Sequence, residues 1–148
     1  QRVLTGLREH GVELAAITLH CGVASFESPE RPSIERYSVH SETAEAINHA
    51  RNEKRRVIAV GTTALRAIES AAQNGIVVAS RGWTDLIIDE QRGVELVDGL
   101  LTGFHTVGAT HQWILRAFLD PERLAEAYDE AAQNGYFQHE FGDVHLIA

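Results

Sequence analysis

An apolar run that turns directly into a helical pattern is the feature that most limits what this chain can fold into. Residues 57–60, Val-Ile-Ala-Val, have the composition of a strand buried on both faces. A Gly-Thr-Thr turn at 61–63 follows and opens a segment in which Leu65 and Ile68 recur at helical spacing. A strand that passes through a short turn into a helix is the repeating unit of α/β proteins.

The same alternation continues along the chain and predicts its fold class. We expect an α/β fold with a largely parallel sheet flanked by helices, formed as one domain over residues 1–148. Ligands bind such sheets at the carboxyl ends of the strands. Strands are predicted at 14–19, 37–40, 57–60, 76–79, 86–88 and 144–147, and helices over 1–10, from Ser41 as N-cap, after residue 61, over 109–118 and from Pro121.

The pentapeptide Ala-Ala-Gln-Asn-Gly occurs twice, at 71–75 and at 131–135. Its flanking residues differ, so it is not part of a longer repeat. Glycine just beyond the last helical turn commonly ends a helix. We therefore predict that both copies end helices, with Gly75 and Gly135 as the terminating residues. Asp120 followed by Pro121 is the matching pattern for a helix start.

Composition is that of an ordinary globular domain. The 148 residues are 44% apolar, which is enough for a core. No stretch approaches the roughly 18 apolar residues of a membrane span, so no membrane partner is expected. Cys21 is the single cysteine, which excludes an internal disulfide and favours a cytoplasmic protein. The chain lacks methionine and opens within a helical pattern, so we expect it to be a piece of a longer protein.

The charge balance bears on possible nucleic-acid partners. The formal net charge of −8 argues against binding by counterion release at this surface alone, because that mode needs clustered Lys and Arg. One basic cluster exists, Arg51 with Lys54, Arg55 and Arg56. We interpret it as a solvated turn between a helix and a strand.

Four loops are predicted to follow strands, at 20–22, 61–63, 98–105 and 142–143. Backbone N–H groups at a helix start such as 61–63 can hold a carboxylate or phosphate, and the alternative is that a Thr only caps the helix. Arg66 either adds charge to that site or is a surface residue. His20 is either a general acid or base or is satisfied by a backbone carbonyl. Asp98, beside Gly99, is either catalytic or a turn residue.

A metal site is the least supported of the hypotheses about the chemistry of this chain. Four histidines and one aspartate lie late in the chain, but their spacing is not that of an established zinc motif. The sequence has no HExxH, CxxC or GxSxG motif. A metal-dependent hydrolase is therefore a third-ranked function, and its candidate ligands are His105, His111, His139, Asp143 and His145.

Seven segments in series resemble one enzyme family. They read Ile-Thr-Leu-His-Cys-Gly (17–22), Ser-Glu-Thr-Ala-Glu-Ala-Ile-Asn (41–48), Val-Ile-Ala-Val-Gly-Thr-Thr-Ala-Leu-Arg (57–66), Glu-Ser-Ala-Ala (69–72), Gly-Trp-Thr-Asp (82–85), Val-Asp-Gly-Leu-Leu-Thr-Gly-Phe-His (97–105) and Phe-Gly-Asp-Val-His-Leu-Ile (141–147). Together they are similar to the C-terminal part of the S-adenosylmethionine:tRNA ribosyltransferase-isomerase (QueA) family of queuosine biosynthesis.

This resemblance implies a fold and an activity. The family has an α/β domain and a small β-barrel domain inserted upstream of the part seen here, so the chain would be the C-terminal portion of a larger two-domain protein. The implied reaction transfers and isomerises the ribosyl group of S-adenosylmethionine onto 7-aminomethyl-7-deazaguanine in tRNA, giving epoxyqueuosine. S-adenosylmethionine is a consumed substrate, and no metal or organic cofactor is implied. The partners are S-adenosylmethionine and tRNA.

The resemblance also suggests which residues form the site, since the motifs coincide with the predicted loops. The candidates for proton transfer are His20, Asp98, His105 and Asp143. The candidates for substrate binding are Gly22, Thr62, Thr63, Arg66, Trp83, Thr102 and Phe104, in which Trp83 or Phe104 would stack on a base.

Two segments depart from the family pattern. Residues 102–111 read Thr-Gly-Phe-His-Thr-Val-Gly-Ala-Thr-His where the family has Thr-Asn-Phe-His-Leu-Pro-x-Ser-Thr-Leu. Near the end, Gln138 and Glu140 stand in a segment where the family carries an Arg. These differences keep a second hypothesis open, a diverged or non-catalytic paralogue that binds an adenosyl ligand or a protein partner.

Overall fold

In the part of the chain that the structure describes, two small three-stranded sheets pack on either side of a helix, and a two-stranded hairpin accompanies them. The computed structural model describes residues 2–21, 33–105, 111–137 and 142–148. The helices are α1 Arg2–Glu9, α2 Ser41–Asn52, α3 Thr62–Ser70, α4 His111–Arg116 and α5 Pro121–Gln133. The strands are β1 Thr18–His20, β2 Glu35–Val39, β3 Ile58–Val60, β4 Ala72–Gln73, β5 Ile76–Val77, β6 Ser80–Thr84, β7 Gly99–Gly103 and β8 Val144–Ile147.

The sheets are mixed, which corrects the expectation of a largely parallel sheet. Sheet 1 has the order β1-β2-β6 and is antiparallel throughout. Sheet 2 has the order β3-β7-β8, in which β3 and β7 are parallel and β8 is antiparallel to β7. The apolar runs predict strands buried on both faces, but within the described residues each sheet buries only one face. Val60 is 67% exposed, and both Thr18 and His20 are exposed.

Several predicted element boundaries are also corrected. The run 14–19 contributes only its last residues to a strand, and 86–88 forms no strand although Ile88 is in the core. The N-cap of α2 is His40 rather than Ser41, and its side chain makes no capping hydrogen bond. The start of α5 is as predicted, because the Asp120 carboxylate accepts a hydrogen bond from the Arg123 N–H.

The two pentapeptide copies adopt different structures. At 131–135 the prediction is confirmed: α5 ends at Gln133, and Gly135 has φ 74°. At 71–75 it is wrong, because α3 already ends at Ser70 and the segment forms a β4-β5 hairpin. Positive φ values at Asn74 and Gly75 (52° and 79°) make the tight turn, a standard Asn-Gly hairpin. The apolar residues that follow decide the outcome, since Val77 enters the core and is 2% exposed.

Helix α3 is the centre of the domain. It packs against β1 and β2 of sheet 1 and against β3 and β7 of sheet 2. The consecutive residues 65–69 are therefore all buried, including the charged Arg66 and Glu69. The largest core side chains around it include Leu65, Leu96 and Leu100, each with no solvent exposure. None of the helices within the described ranges is long and apolar enough to cross a bilayer.

Glu69 fastens the loop that precedes β7. Its side chain is fully buried and accepts the N–H groups of Glu95 and Leu96, the latter at 2.8 Å. Arg92 pairs with the same carboxylate at 2.9 Å. Backbone donors and one cation thus compensate the burial of this charge.

We expect Glu69→Gln to lower the free energy of unfolding by about 1.5–3 kcal/mol. The amide keeps one acceptor oxygen but loses the negative charge that pairs with Arg92 and strengthens the hydrogen bonds from the N–H groups. Urea unfolding measures the change. The control is Glu45→Gln on the exposed side of α2, which should stay within about 0.5 kcal/mol. Equal stability of the two variants would contradict this role.

Candidate functional site

The edge of sheet 2 at which β3 and β7 end brings together parts of three predicted loops, but the prediction of a loop over 98–105 is corrected, because Gly99–Gly103 is strand β7. The Gly61 N–H donates to the Leu101 carbonyl at 2.8 Å, so the β3-to-α3 turn lies beside the end of β7. Strand β8 begins at the same edge, because Val144 is registered with Gly103. The segments 61–63, 102–105 and 143–145 are therefore neighbours, and we call them the sheet 2 edge.

The turn at Gly61 opens α3 in a way only glycine accommodates without strain. Gly61 has φ 88° and is the N-cap, so the alternative in which a Thr caps this helix is excluded. Thr62 is partly buried and Thr63 is exposed. The first N–H groups of any helix have no acceptor within the helix, so this end offers donors and a positive dipole at the sheet 2 edge.

His105 is held inside this edge rather than presented to solvent. It is 1% exposed, and its Nε2 lies 2.9 Å from the hydroxyl of Thr102, which is also buried. Its backbone N–H donates to the Tyr128 hydroxyl at 3.1 Å. Its ring stacks on His111 with centroids 4.5 Å apart. These contacts suit a residue that positions its neighbours.

Phe104 is also buried, at 9% exposure, and lies in a cluster of rings. It stacks on His145 with centroids 4.6 Å apart and meets Tyr128 and Tyr136 at 5.6 and 5.7 Å. A base would have to displace one of these partners to stack on Phe104. Its contacts in this structure are those of packing.

Asp143 is the partly exposed carboxylate of the sheet 2 edge. Its Oδ2 accepts a hydrogen bond from the Phe137 N–H. One oxygen is thus anchored to the chain beyond α5, and the carboxylate is oriented next to the start of β8. An oriented carboxylate that still reaches solvent is able to take or give a proton.

Asp98 lies at the opposite end of β7, which separates it from the other candidates. Its Oδ2 accepts the Val57 N–H at 2.7 Å, and its own N–H donates to the Val57 carbonyl. These bonds align the start of β7 with the start of β3. The geometry therefore favours a structural role for Asp98, as a turn residue, over a catalytic one.

Arg66 is neither a surface residue nor directed to the sheet 2 edge. Its side chain is 7% exposed and pairs with Glu35 of β2. The same guanidinium donates to three backbone carbonyls, those of Leu86, Ser33 and Thr84. Arg66 thus ties α3 to sheet 1.

His20 and Trp83 lie on sheet 1. His20 ends β1 and is exposed, and Trp83 in β6 is 71% exposed. Both are in register with Arg36 of β2. Gly22 lies outside the described residues. Cys21 is exposed, and partial desolvation of its thiol, followed by the charge of Glu35, raises its pKa.

Sequence reasoning missed the roles of His145 and Tyr128 at the sheet 2 edge. The signal was present for His145, since alternation in β8 puts it on the same face as the buried Ile147. The hydrogen bond from the His105 N–H to the Tyr128 hydroxyl depends on how α5 docks, which the sequence does not show. Over the described residues, no group of three His, Cys, Asp or Glu side chains is placed to hold a metal ion. His139 lies outside them.

Burial lowers the pKa of His145, and a hydrogen bond with the Gly103 backbone only partly opposes this. The unfolded chain therefore binds a proton more readily than the folded one. The stability that His145 contributes should be complete above its ordinary pKa of 6.5 and should fall as the pH drops below it.

We expect His145→Phe, which keeps a ring stacked on Phe104, to reduce the slope of the free energy of unfolding with pH. The reduction should fall between pH 6.5 and the lowered pKa of His145. Urea unfolding at a series of pH values measures this. Val144→Ala, a change without a titrating group at an exposed position of the same strand, is the matched control and should leave the slope intact. An unchanged slope in His145→Phe would show that other groups cause it.

A separate cleft of roughly 310 Å³ lies between the 87–91 loop and α4. Its lining includes Asp89, Trp113 and Arg116 but none of the predicted site residues. It is therefore distinct from the sheet 2 edge.

Comparison with known proteins settles the family. The family model described as "Queuosine biosynthesis protein" matches residues 1–147. The chain belongs to this queuosine biosynthesis protein family. An S-adenosylmethionine:tRNA ribosyltransferase-isomerase of Thermus thermophilus is 44% identical over 152 residues, covering 98% of this chain and 44% of the relative. The enzyme of the same name from Heliobacterium modesticaldum is 39% identical, covering 99% and 45%.

A solved structure supports the same family assignment. The crystal structure of S-adenosylmethionine tRNA ribosyltransferase from Thermotoga maritima matches this queuosine-family chain with a TM-score of 0.82 and 32% identity. The match covers 99% of this chain and 49% of that structure. The chain thus spans just under half the length of the relatives it matches.

Proposed function

We propose that this chain forms the C-terminal part of an S-adenosylmethionine:tRNA ribosyltransferase-isomerase. The observation that carries the proposal is the match of nearly the whole chain to relatives of that name at 44% and 39% identity. The reaction would transfer and isomerise the ribosyl group of S-adenosylmethionine onto 7-aminomethyl-7-deazaguanine in tRNA, giving epoxyqueuosine. S-adenosylmethionine is the consumed donor, no further cofactor takes part, and the tRNA acceptor implies a cytoplasmic reaction.

The chemistry requires a base near the donor's ribose. The sulfonium of S-adenosylmethionine acidifies the adjacent C5′–H, and removal of that proton gives an ylide. The ylide opens the ribose ring, and adenine leaves with a proton supplied to it. The acceptor amine then bonds to the opened ribosyl group and loses a proton, and a ribosyl oxygen displaces methionine from the adjacent carbon to close the epoxide. Two proton transfers at least therefore need positioned groups.

The sheet 2 edge supports an assignment of these roles. We assign Asp143 as the proton acceptor, because its carboxylate is oriented by the Phe137 N–H and still reaches solvent. The start of α3 at Thr62 and Thr63 offers N–H donors to the methionine carboxylate. Buried His105, bonded to Thr102, acts as a positioning residue rather than meeting the donor.

The test is release of adenine. The intact protein is given S-adenosylmethionine and tRNA that carries 7-aminomethyl-7-deazaguanine. It should release one adenine for each base modified, and chromatography measures the adenine. The control tRNA carries unmodified guanine and should give none. A folded protein that binds both substrates but releases no adenine would sink the proposal.

The departures from the family pattern around Gly103 favour a second candidate, a diverged paralogue that binds an adenosyl ligand without this reaction. In the structure Gly103 is buried and paired with Val144 at the sheet 2 edge. Calorimetric binding of S-adenosylmethionine without adenine release on any tRNA would select this candidate.

A further inference from the structure

The outer face of sheet 1 carries two arginines, a histidine and a tryptophan on an otherwise acidic chain, and the buried hydroxyl of Ser38 lies among them. Strand alternation and register place two rows of residues on this face. We call these six positions the sheet 1 face: Thr18, Ser38 and Arg81 in one row, and His20, Arg36 and Trp83 in the other.

The opposite face of the sheet is the one that packs on the core. Val39 is 2% exposed, the Tyr37 hydroxyl donates to the Ser70 carbonyl, and Glu35 pairs with Arg66. The one carboxylate within the three strands therefore points away from the sheet 1 face. In contrast, Arg36, Arg81 and Trp83 are exposed.

The charge of this face is opposite to that of the chain. The sequence carries 21 acidic and 13 basic residues, yet the sheet 1 face holds two arginines, a histidine and no carboxylate. An exposed tryptophan lies directly opposite Arg36, at a cross-strand distance at which the side chains are neighbours. Arginines that pair with phosphates beside an aromatic ring that stacks on a base are the elements of single-stranded nucleic-acid binding.

We propose that the sheet 1 face binds a single-stranded segment of RNA, with Trp83 stacked on one base and Arg36 and Arg81 on flanking phosphates. The proposal rests on the proposed function, in which tRNA is the acceptor, and specifies where the acceptor is held. It also reduces the conflict between the net charge of −8 and a nucleic-acid partner, because Arg36 and Arg81 lie on this face and the only carboxylate of its three strands lies on the other.

The experiment measures affinity of the intact protein for a fluorescent RNA stem–loop by anisotropy at several salt concentrations. Trp83→Ala should weaken binding by about 5- to 150-fold, the effect of losing one stacked base, and Trp83→Phe should recover most of it. Arg36→Gln and Arg81→Gln should each lower the salt slope by about 0.7, the contribution of one phosphate on a single strand. Arg123→Gln on α5, where the side chain is 75% exposed, should do neither.

Two comparisons make the outcomes decisive. A fully paired RNA of the same stem should be bound equally by Trp83→Ala and the unmodified protein, because it offers no unstacked base. Affinity for S-adenosylmethionine should be unchanged in all variants, which separates failure of this surface from failure of the proposed function. Unaltered stem–loop affinity in the folded Trp83 and Arg36 variants would overturn the proposal, as would an equal loss for paired RNA.

Discussion

Asp143→Asn should lower the rate of adenine release by about 10²- to 10⁴-fold while leaving S-adenosylmethionine bound, if Asp143 is the proton acceptor we propose. Asparagine keeps an oxygen for the Phe137 N–H, so the local geometry is retained and only the basicity is lost. Single-turnover release of adenine, followed by rapid quench, measures the chemical step, and calorimetry measures donor binding.

Asp98→Asn is the matched control for this experiment. Asp98 also accepts a backbone N–H, that of Val57, but at the opposite end of β7. Its asparagine variant should turn over normally. Normal turnover in Asp143→Asn would contradict the assignment. An equal loss in both variants would show that the effect arises from distortion of sheet 2 rather than from loss of proton transfer.

Arg66→Ala should destabilise the fold by about 3–5 kcal/mol, which is a large share of the stability of an ordinary domain. The substitution leaves Glu35 buried without its cation, since the two side chains are only 7% and 12% exposed. It also removes the donors to the carbonyls of Leu86, Ser33 and Thr84. Guanidinium chloride unfolding measures the loss.

Further variants separate the charge from the hydrogen bonds. Arg66→Lys keeps a cation but not the planar fork that reaches several acceptors, so it should fall between Arg66→Ala and the unmodified protein. Glu35→Ala combined with Arg66→Ala should cost less than the sum of the single changes, because the pair is lost together. Arg81→Ala on the exposed face of β6 should change stability by less than about 0.5 kcal/mol. A similar small change for Arg66→Ala would contradict its structural role.

The candidate site was partly predictable because strand ends can be recognised in the sequence. Four loops, at 20–22, 61–63, 98–105 and 142–143, were predicted to lie at strand ends. The register of β3, β7 and β8 brings 61–63, the end of β7 and residue 143 together, whereas 99–103 is itself strand β7. Asp98 was grouped with them because it lies in the same segment, but it lies at the start of β7 and not at its end. Chain proximity does not reveal which end of a five-residue strand a side chain occupies.

The burial of Arg66 and Glu69 was not predictable from helical periodicity. The pattern of Leu65 and Ile68 indicates one inward stripe, which leaves the charged residues on the solvent side. In the structure α3 lies between two sheets, so it has no wide solvent side and its charges are paired internally. Only the packing of the second sheet decides this.

The sequence by itself determined the family and the local starts and stops of several helices. These properties depend on residues near one another in the chain. The sequence did not predict strand β6, which carries Arg81 and Trp83. Tertiary structure alone decided the mixed direction of the sheets and the two fates of Ala-Ala-Gln-Asn-Gly. The physical reason is that strand pairing and core burial depend on segments far apart in the sequence, whose contacts outweigh local preference.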